Sequence, residues 1–171
     1  MFANKRLYGM SIVINILYLS VMTFILDPLK ENYSMLSSSF GGHLAVFLMC
    51  VLLSLNLAAV TGRYNRRYVF LAVAGPLIGA LFPYTANSGD LLSNLHEVCA
   101  YISFSLVNIV CFLNIYRYRM QHSRKGLILM NLFLAVFVID AFLFMDSMGA
   151  VAYEQFILLS VILIISYLIY E

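Results

Sequence analysis

The sequence contains few charged residues. Charged residues make up 11% of the 171 residues, whereas hydrophobic residues make up 63%. A soluble domain has about 25% charged and about 45–50% apolar residues. A chain of this size keeps too large a share of its residues at the surface to hide such an excess in a core. The composition therefore excludes an ordinary water-soluble domain and indicates that lipid surrounds most of the chain.

Several well-known functional patterns are missing as well. The sequence has no phosphate-binding loop, no dinucleotide fingerprint and no G-x-S-x-G motif, and no pattern in it indicates a cofactor. The net charge of +2 gives no electrostatic basis for binding nucleic acid. The three cysteines, Cys50, Cys99 and Cys111, form no C-x-x-C pair and lie in apolar segments, which is typical of small buried side chains.

Six long apolar runs account for most of the chain. They cover residues 7–26, 43–60, 68–84, 92–116, 126–145 and 151–170. At about 1.5 Å per residue, each helix would cross most or all of a hydrocarbon core of about 30 Å. Backbone groups in lipid must be paired internally, so runs of this length must be helical. The sequence thus predicts an all-α polytopic protein, with residues 1–171 forming a single bundle of six transmembrane helices.

Basic residues are concentrated in alternate loops. Nine of the ten Lys and Arg residues lie before the first run, between the second and third, or between the fourth and fifth. Lys30 is the exception and lies on the opposite side. Because basic loops remain in the cytoplasm, both termini are predicted to be cytoplasmic in a multi-pass protein of the cell membrane. The nine residues are Lys5, Arg6, Arg63, Arg66, Arg67, Arg117, Arg119, Arg124 and Lys125.

An amide-rich layer is predicted near the cytoplasmic end. Four runs each place one Asn at a similar depth, and Ser54 and Asn114 lie close to the same level. Polar groups inside spans are costly, so these side chains are expected to face the bundle interior. They would either form hydrogen bonds between helices or line a polar cavity for a head group or small solute. The four residues are Asn15, Asn56, Asn108 and Asn131.

A second polar layer, made of ionisable residues, is predicted near the outer ends. Glu97 follows Asn94 at the spacing of a capping box, so helix capping explains it. Capping does not explain His96 or Asp140, which we expect to pair in one outer-leaflet pocket because a lone buried carboxylate is costly. No H-x-x-x-H or H-E-x-x-H spacing is present, so a metal site is not the favoured interpretation. The pocket candidates are His43, His96, Glu97, Asp140 and Glu154.

The third run contains the motif G-x-x-x-G, formed by Gly75 and Gly79. Small residues at this spacing let a neighbouring helix approach closely. The neighbour could be a helix of the same chain or the same helix of a second copy, which would give a homo-oligomer. Pro76, between the two glycines, is expected to kink the helix.

The layout resembles the domain-of-unknown-function 998 family of prokaryotic six-helix membrane proteins. The residues that carry the resemblance are "YSMLSSSFGG" (33–42), the basic "RYNRRYVFLAVAGPLIGALFP" (63–83), and Phe82 and Pro83 followed by an acidic loop and His96. The resemblance covers most of the chain in layout and is specific over residues 33–105. It implies a six-helix membrane fold, draws attention to Pro83 and His96, and implies no mechanism.

Three functions are compatible with these patterns. The favoured hypothesis is a membrane protein that binds or moves a lipid or small amphiphile through the outer polar pocket. The first alternative is an intramembrane enzyme, either metal-dependent or acid–base, that uses His and carboxylate groups at the outer face. The second alternative is a partner subunit without chemistry, which would not need an ionisable residue as deep as Asp140.

Overall fold

A computed structural model provides the fold and describes residues 5–25, 38–84, 90–147 and 151–170. The described residues form six α-helices, one short 3-10 turn (Arg66–Tyr68) and no strand, so the all-α prediction is confirmed. Each helix overlaps one of the six apolar runs. The helices are α1 (Lys5–Ile25), α2 (Phe40–Tyr64), α3 (Val69–Gly79), α4 (Leu91–Gln121), α5 (Ser123–Ser147) and α6 (Val151–Tyr170).

The helices are arranged as an inner triangle with three outer helices. The inner helices α2, α4 and α6 all contact one another. Each outer helix packs between two inner ones: α1 between α6 and α2, α3 between α2 and α4, and α5 between α4 and α6. Every helix therefore packs against the next one along the chain, and the contact of α1 with α6 closes the ring.

The C-terminal ends of the three inner helices meet at one end of the bundle. The Tyr64 hydroxyl of α2 donates to the Leu168 carbonyl of α6 at 3.4 Å, and the Tyr118 and Tyr167 hydroxyls of α4 and α6 lie 3.4 Å apart. The Tyr118 ring packs edge-on against the rings of both Tyr64 and Tyr167, with centroids 5.9 and 6.0 Å apart. We call this the basic end, because nine of the ten basic residues lie near it in the chain order. The opposite end is called the far end.

Two of the helices have the dimensions of membrane spans. Within the described part of the chain, α2 with 25 residues and α4 with 31 residues are long and apolar enough to cross a membrane. A shorter apolar segment, Leu159–Tyr170, forms most of α6.

Helix α3 is shorter than the run 68–84 predicted. It has 11 residues and ends at Gly79, which gives it a length of about 16 Å. Pro83 accounts for the early end, because proline disfavours the helical conformation of the preceding residue, here Phe82. Pro76 lies within the helix and is buried, so it is accommodated in α3 without ending it.

Helix α4 begins earlier than the predicted capping box requires. Its first residue is Leu91 and its N-cap residue is Asp90, whose carbonyl accepts a hydrogen bond from the Asn94 N–H at 3.1 Å. Asn94 and Glu97 are therefore inside the helix, and the prediction that they form a capping box is wrong. The Asp90 side chain makes no capping hydrogen bond to the helix, but its charge suits the positive end of the helix dipole.

The two glycines of α3 face α4 of the same chain. A Cβ atom on Gly75 would lie 3.3 Å from Leu106 Cβ, and one on Gly79 would lie 2.8 Å from Ser103 Oγ. Both glycines thus allow a close approach of the α3 and α4 backbones. This contact favours packing within one chain over a homo-oligomer formed through the same face.

Substitution of Gly79 tests this close approach. Gly79→Leu should lower the free energy of unfolding by roughly 1–3 kcal/mol, the usual cost of overpacking, because Leu must displace Ser103 or separate α3 from α4. Gly41→Leu is the matched control, since Gly41 lies in the exposed first turn of α2 and a Cβ there meets nothing within 4 Å. Equal thermal midpoints for the two purified variants would contradict the contact.

Candidate functional site

A hydrogen-bonded group of polar side chains joins α2 to α4 near the basic end. Asn114 is fully buried, and its Nδ2 donates to the Thr61 hydroxyl at 2.9 Å. The Thr61 hydroxyl in turn donates to the Leu57 carbonyl one turn earlier in α2, at 2.7 Å. A buried donor without a partner is costly, so this chain of bonds determines how α2 and α4 are placed against each other.

Asn65 extends this group to the turn that follows α2. Its backbone N–H donates to the Thr61 carbonyl at 2.7 Å and closes the last turn of the helix. Its side-chain Nδ2 donates to the Leu113 carbonyl at 2.8 Å and to Asn114 Oδ1 at 3.2 Å. The turn between α2 and α3 is thereby attached to the C-terminal third of α4. We call Thr61, Asn65 and Asn114 the amide lock.

Three arginines lie around this turn and line one cleft. Arg66 and Arg67 belong to the 3-10 turn directly after Asn65, and Arg117 lies three residues after Asn114 on α4. With Tyr64 and Asn65 they line an open cavity of about 340 Å³. The Arg67 guanidinium lies 4.8 Å from the centroid of the Tyr68 ring. We call this cavity the arginine cleft.

The four predicted inner asparagines do not form a common network. Asn56 Oδ1 accepts from the Ser11 hydroxyl at 2.7 Å, whereas Asn108 Nδ2 donates to the Phe104 carbonyl of its own helix at 2.9 Å. Asn15 is buried, and neither atom of its amide has a hydrogen-bond partner within the described residues. Asn131 is exposed, so its predicted inward orientation is wrong. In this region it is Asn114 whose side chain forms hydrogen bonds with two other polar side chains, those of Thr61 and Asn65.

His96 is buried and contacts the segment that follows the C-terminal end of α3. Its Nδ1 lies 2.7 Å from the Phe82 carbonyl oxygen. A carbonyl can only accept, so Nδ1 carries the proton and donates. The ring also meets that of Tyr84 edge-on, with centroids 5.7 Å apart. The Phe82 carbonyl lies beyond the end of α3 at Gly79, and His96 supplies it with a donor.

Asp140 is buried at 3% exposure, and its Oδ1 has no hydrogen-bond partner among the described residues. The predicted pair of Asp140 with His96 is therefore wrong, since His96 directs its Nδ1 to the Phe82 carbonyl. His43, in the first turn of α2, likewise has a buried Nδ1 without a partner in the described part of the chain. Two polar atoms near the far end are thus buried without a hydrogen-bond partner among the residues that the structure describes.

The remaining outer candidates lie apart from these. Glu97 is exposed on α4. Glu154 lies in the first turn of α6, and its side chain is outside the described residues. Within the described residues, no three His, Cys, Asp or Glu side chains come close enough to hold a metal ion. The four outer candidates whose side chains are described, His43, His96, Glu97 and Asp140, are therefore not gathered into a metal-binding group.

The arginine cleft is the one feature that sequence reasoning did not single out as a site. Its three arginines were interpreted only as markers of membrane orientation. The available signal was the sequence "RYNRR" (63–67), in which Asn65 interrupts a run of basic and aromatic residues at the end of a helix. The contribution of Arg117 could not be foreseen, because it depends on how α4 packs beside the turn.

Comparisons with protein-family models, with curated proteins and with solved structures find no match to this chain.

Removal of the Asn114 side chain tests the amide lock. Asn114→Ala leaves polar groups of Thr61 and Asn65 without partners, so the free energy of unfolding should fall by roughly 1–3 kcal/mol. Asn131→Ala is the matched control and should lower it by less than about 0.5 kcal/mol, because Asn131 is exposed. The double variant with Asn65→Ala should cost less than the sum of the two single changes. Strict additivity would show that the two amides act independently.

Proposed function

We propose that the chain is a multi-pass membrane protein that binds a lipid or small amphiphile. The observation that carries the membrane location is the orientation of side chains on α1. Its large apolar residues are exposed and recur every three to four positions, whereas Ser11 and Asn15 are buried. Apolar residues outside and polar residues inside are the arrangement that a lipid solvent favours. The exposed residues are Leu7, Met10, Val13, Ile14, Leu17 and Val21.

The same arrangement recurs on α4 and α5. On α4, Val98, Ile102 and Ile109 are exposed while His96 and Asn114 are buried. On α5, the exposed residues include Val138, at 66% exposure, two positions before the buried Asp140. In water, continuous apolar surface of this extent would favour aggregation or association. We therefore propose six spans, with α3 crossing together with the segments that flank it.

The proposed orientation places the basic end of the bundle and both termini in the cytoplasm. This follows from the nine basic residues that lie on that side. The far end then lies in the outer leaflet. The resemblance to the domain-of-unknown-function 998 family is compatible with this orientation and stays a prediction.

Cysteine labelling in intact cells tests the orientation. In a background without the native cysteines, Ser38→Cys should react with a membrane-impermeant maleimide added outside, whereas Arg119→Cys should react only after the cells are opened. Both positions are exposed, so accessibility within the protein is matched. The reverse pattern would overturn the orientation, and labelling of both positions from outside would overturn their placement on opposite sides of the membrane.

The binding function is supported by Asp140. An ionisable group at this depth is costly, and membrane proteins keep such groups where they serve a ligand or a proton. Oδ1 of Asp140 accepts no hydrogen bond from the described residues, so a donor from a bound head group would satisfy it. His43 Nδ1 offers a second polar atom near the same end. A metal-dependent enzyme is less well supported, because no group of three metal-ligating side chains is found in the described residues.

Asp140→Leu separates binding from stability. We expect the thermal midpoint to stay equal or to rise, because an unpaired buried carboxylate is replaced by an apolar side chain. Native mass spectrometry should show the wild type retaining phosphatidylethanolamine, which has N–H donors, about tenfold more tightly than phosphatidylcholine, which has none. The variant should lose this preference. Glu97→Gln, which changes an exposed carboxylate on α4, should keep it.

Two results would contradict the binding proposal. The first is an unchanged lipid preference in Asp140→Leu. The second is a large fall in the thermal midpoint of that variant, which would make Asp140 a structural residue whose partner lies within the protein.

A further inference from the structure

We propose that the arginine cleft binds a phosphate group, carried by the head group of an anionic phospholipid. The phosphate chemistry follows from the cleft itself, whereas the lipid source rests on the membrane location proposed above. The cleft lies at the basic end, opposite the end where Asp140 is found. It is therefore a second site, separate from the far-end residues.

The charge of the cleft is one-sided. Arg66, Arg67 and Arg117 line one cavity of about 340 Å³. The acidic side chains that the structure describes, Asp90, Glu97 and Asp140, all lie in the half of the bundle nearer the far end. Glu171, which follows α6 in the sequence, is outside the described residues. The lining of this cavity contains three arginines and no described carboxylate, so the cleft carries a net positive charge that a bound anion would offset.

The cleft is held in shape by the amide lock. Asn65 directly precedes Arg66, and its side chain is bonded to the Leu113 carbonyl and to Asn114 on α4. Arg117 lies three residues after Asn114, close to one turn further along the same helix. The two halves of the cleft therefore belong to elements that buried hydrogen bonds join. A site whose parts are positioned before binding loses less entropy when the ligand arrives.

Two other roles for basic residues at this end are already filled by different side chains. The last carbonyls of a helix need donors, and Arg63 supplies one to the Leu168 and Ile169 carbonyls of α6, at 3.5 Å each. Membrane orientation needs basic residues on the cytoplasmic side, and Arg6, Arg119 and Arg124 supply these without lining the cavity. Neither role requires three arginines around one cleft.

Phosphate is the anion that suits this set of donors. The planar guanidinium presents several N–H donors in a fork that matches phosphate oxygens, and three such groups can share the oxygens of one phosphate. Under the proposed orientation the cleft lies at the cytoplasmic surface, where head groups of anionic lipids are found. Basic pockets between helices on that side of a membrane are typical sites for phosphorylated head groups. Tyr64 and Asn65 add polar atoms to the lining.

The test compares two triple variants of equal charge in detergent solution. The cleft variant carries Arg66→Gln, Arg67→Gln and Arg117→Gln. The control variant carries Arg6→Gln, Arg119→Gln and Arg124→Gln, which are exposed residues outside the cleft. Each protein is titrated with short-chain phosphatidylglycerol, with phosphatidylcholine of the same chain length, and with inorganic phosphate at constant ionic strength. The readout is the rise in thermal midpoint, from which an apparent dissociation constant follows.

We expect phosphatidylglycerol to stabilise the wild type and the control variant at similar concentrations. Binding to the cleft variant should be about 100-fold weaker, since each basic side chain near an anionic head group contributes about fivefold. Phosphatidylcholine should have a smaller effect on all three proteins. The single variant Arg117→Gln should be weakened about fivefold, and it provides a measurement if the triple variant does not fold.

Three other results would each contradict a part of the proposal. Equal weakening of the cleft and control variants would overturn the site, because only the overall charge would matter. Stabilisation by inorganic phosphate as strong as by the lipid would keep the phosphate site and overturn the lipid source. If the chain stays in solution without detergent, the membrane location fails, and the inorganic phosphate titration alone still decides the cleft.

Discussion

Asn114 donates from α4 to the Thr61 hydroxyl of α2 and accepts a hydrogen bond from Asn65 in the turn after α2. In a bundle whose surfaces are mostly apolar, packing alone would allow helices to slide or rotate against one another. A buried amide allows much less freedom, because each displaced bond leaves a polar atom without a partner. The position of the turn, and with it that of Arg66 and Arg67, depends on this group.

The inner triangle explains why polar residues gather at two levels. The helices α2, α4 and α6 run in the same direction, so their C-terminal ends meet at the basic end and bring Tyr64, Tyr118 and Tyr167 together. Their partial negative charges meet there too, and basic side chains are favourable at such ends. At the far end, the break in α3 after Gly79 leaves the Phe82 carbonyl for His96. Pro83 and His96 therefore lie at the same point of the fold, since His96 donates to the carbonyl of the residue that precedes Pro83.

The two proposed sites differ in how far the sequence could indicate them. Asp140 is visible as a charge in an apolar run, and its burial follows from cost alone. Its predicted pairing with His96 was wrong, because His96 donates to the Phe82 carbonyl in the segment that follows α3. The arginine cleft, in contrast, could not be recognised from the sequence. Its residues are common at cytoplasmic ends, and only the packing of Arg117 beside the turn after α2 makes them a site.

The sequence by itself determined the helical class, the number and approximate bounds of the helices, and the separation of basic from acidic residues along the chain. These follow from composition and from the length of apolar runs, which are local properties. The tertiary structure decided which polar side chains meet. Asn131 and Asn114 have similar depth in the sequence, yet one is exposed and the other is fully buried. A helix that is apolar on all sides has no polar face to indicate its rotation, so the contacts with neighbouring helices determine it.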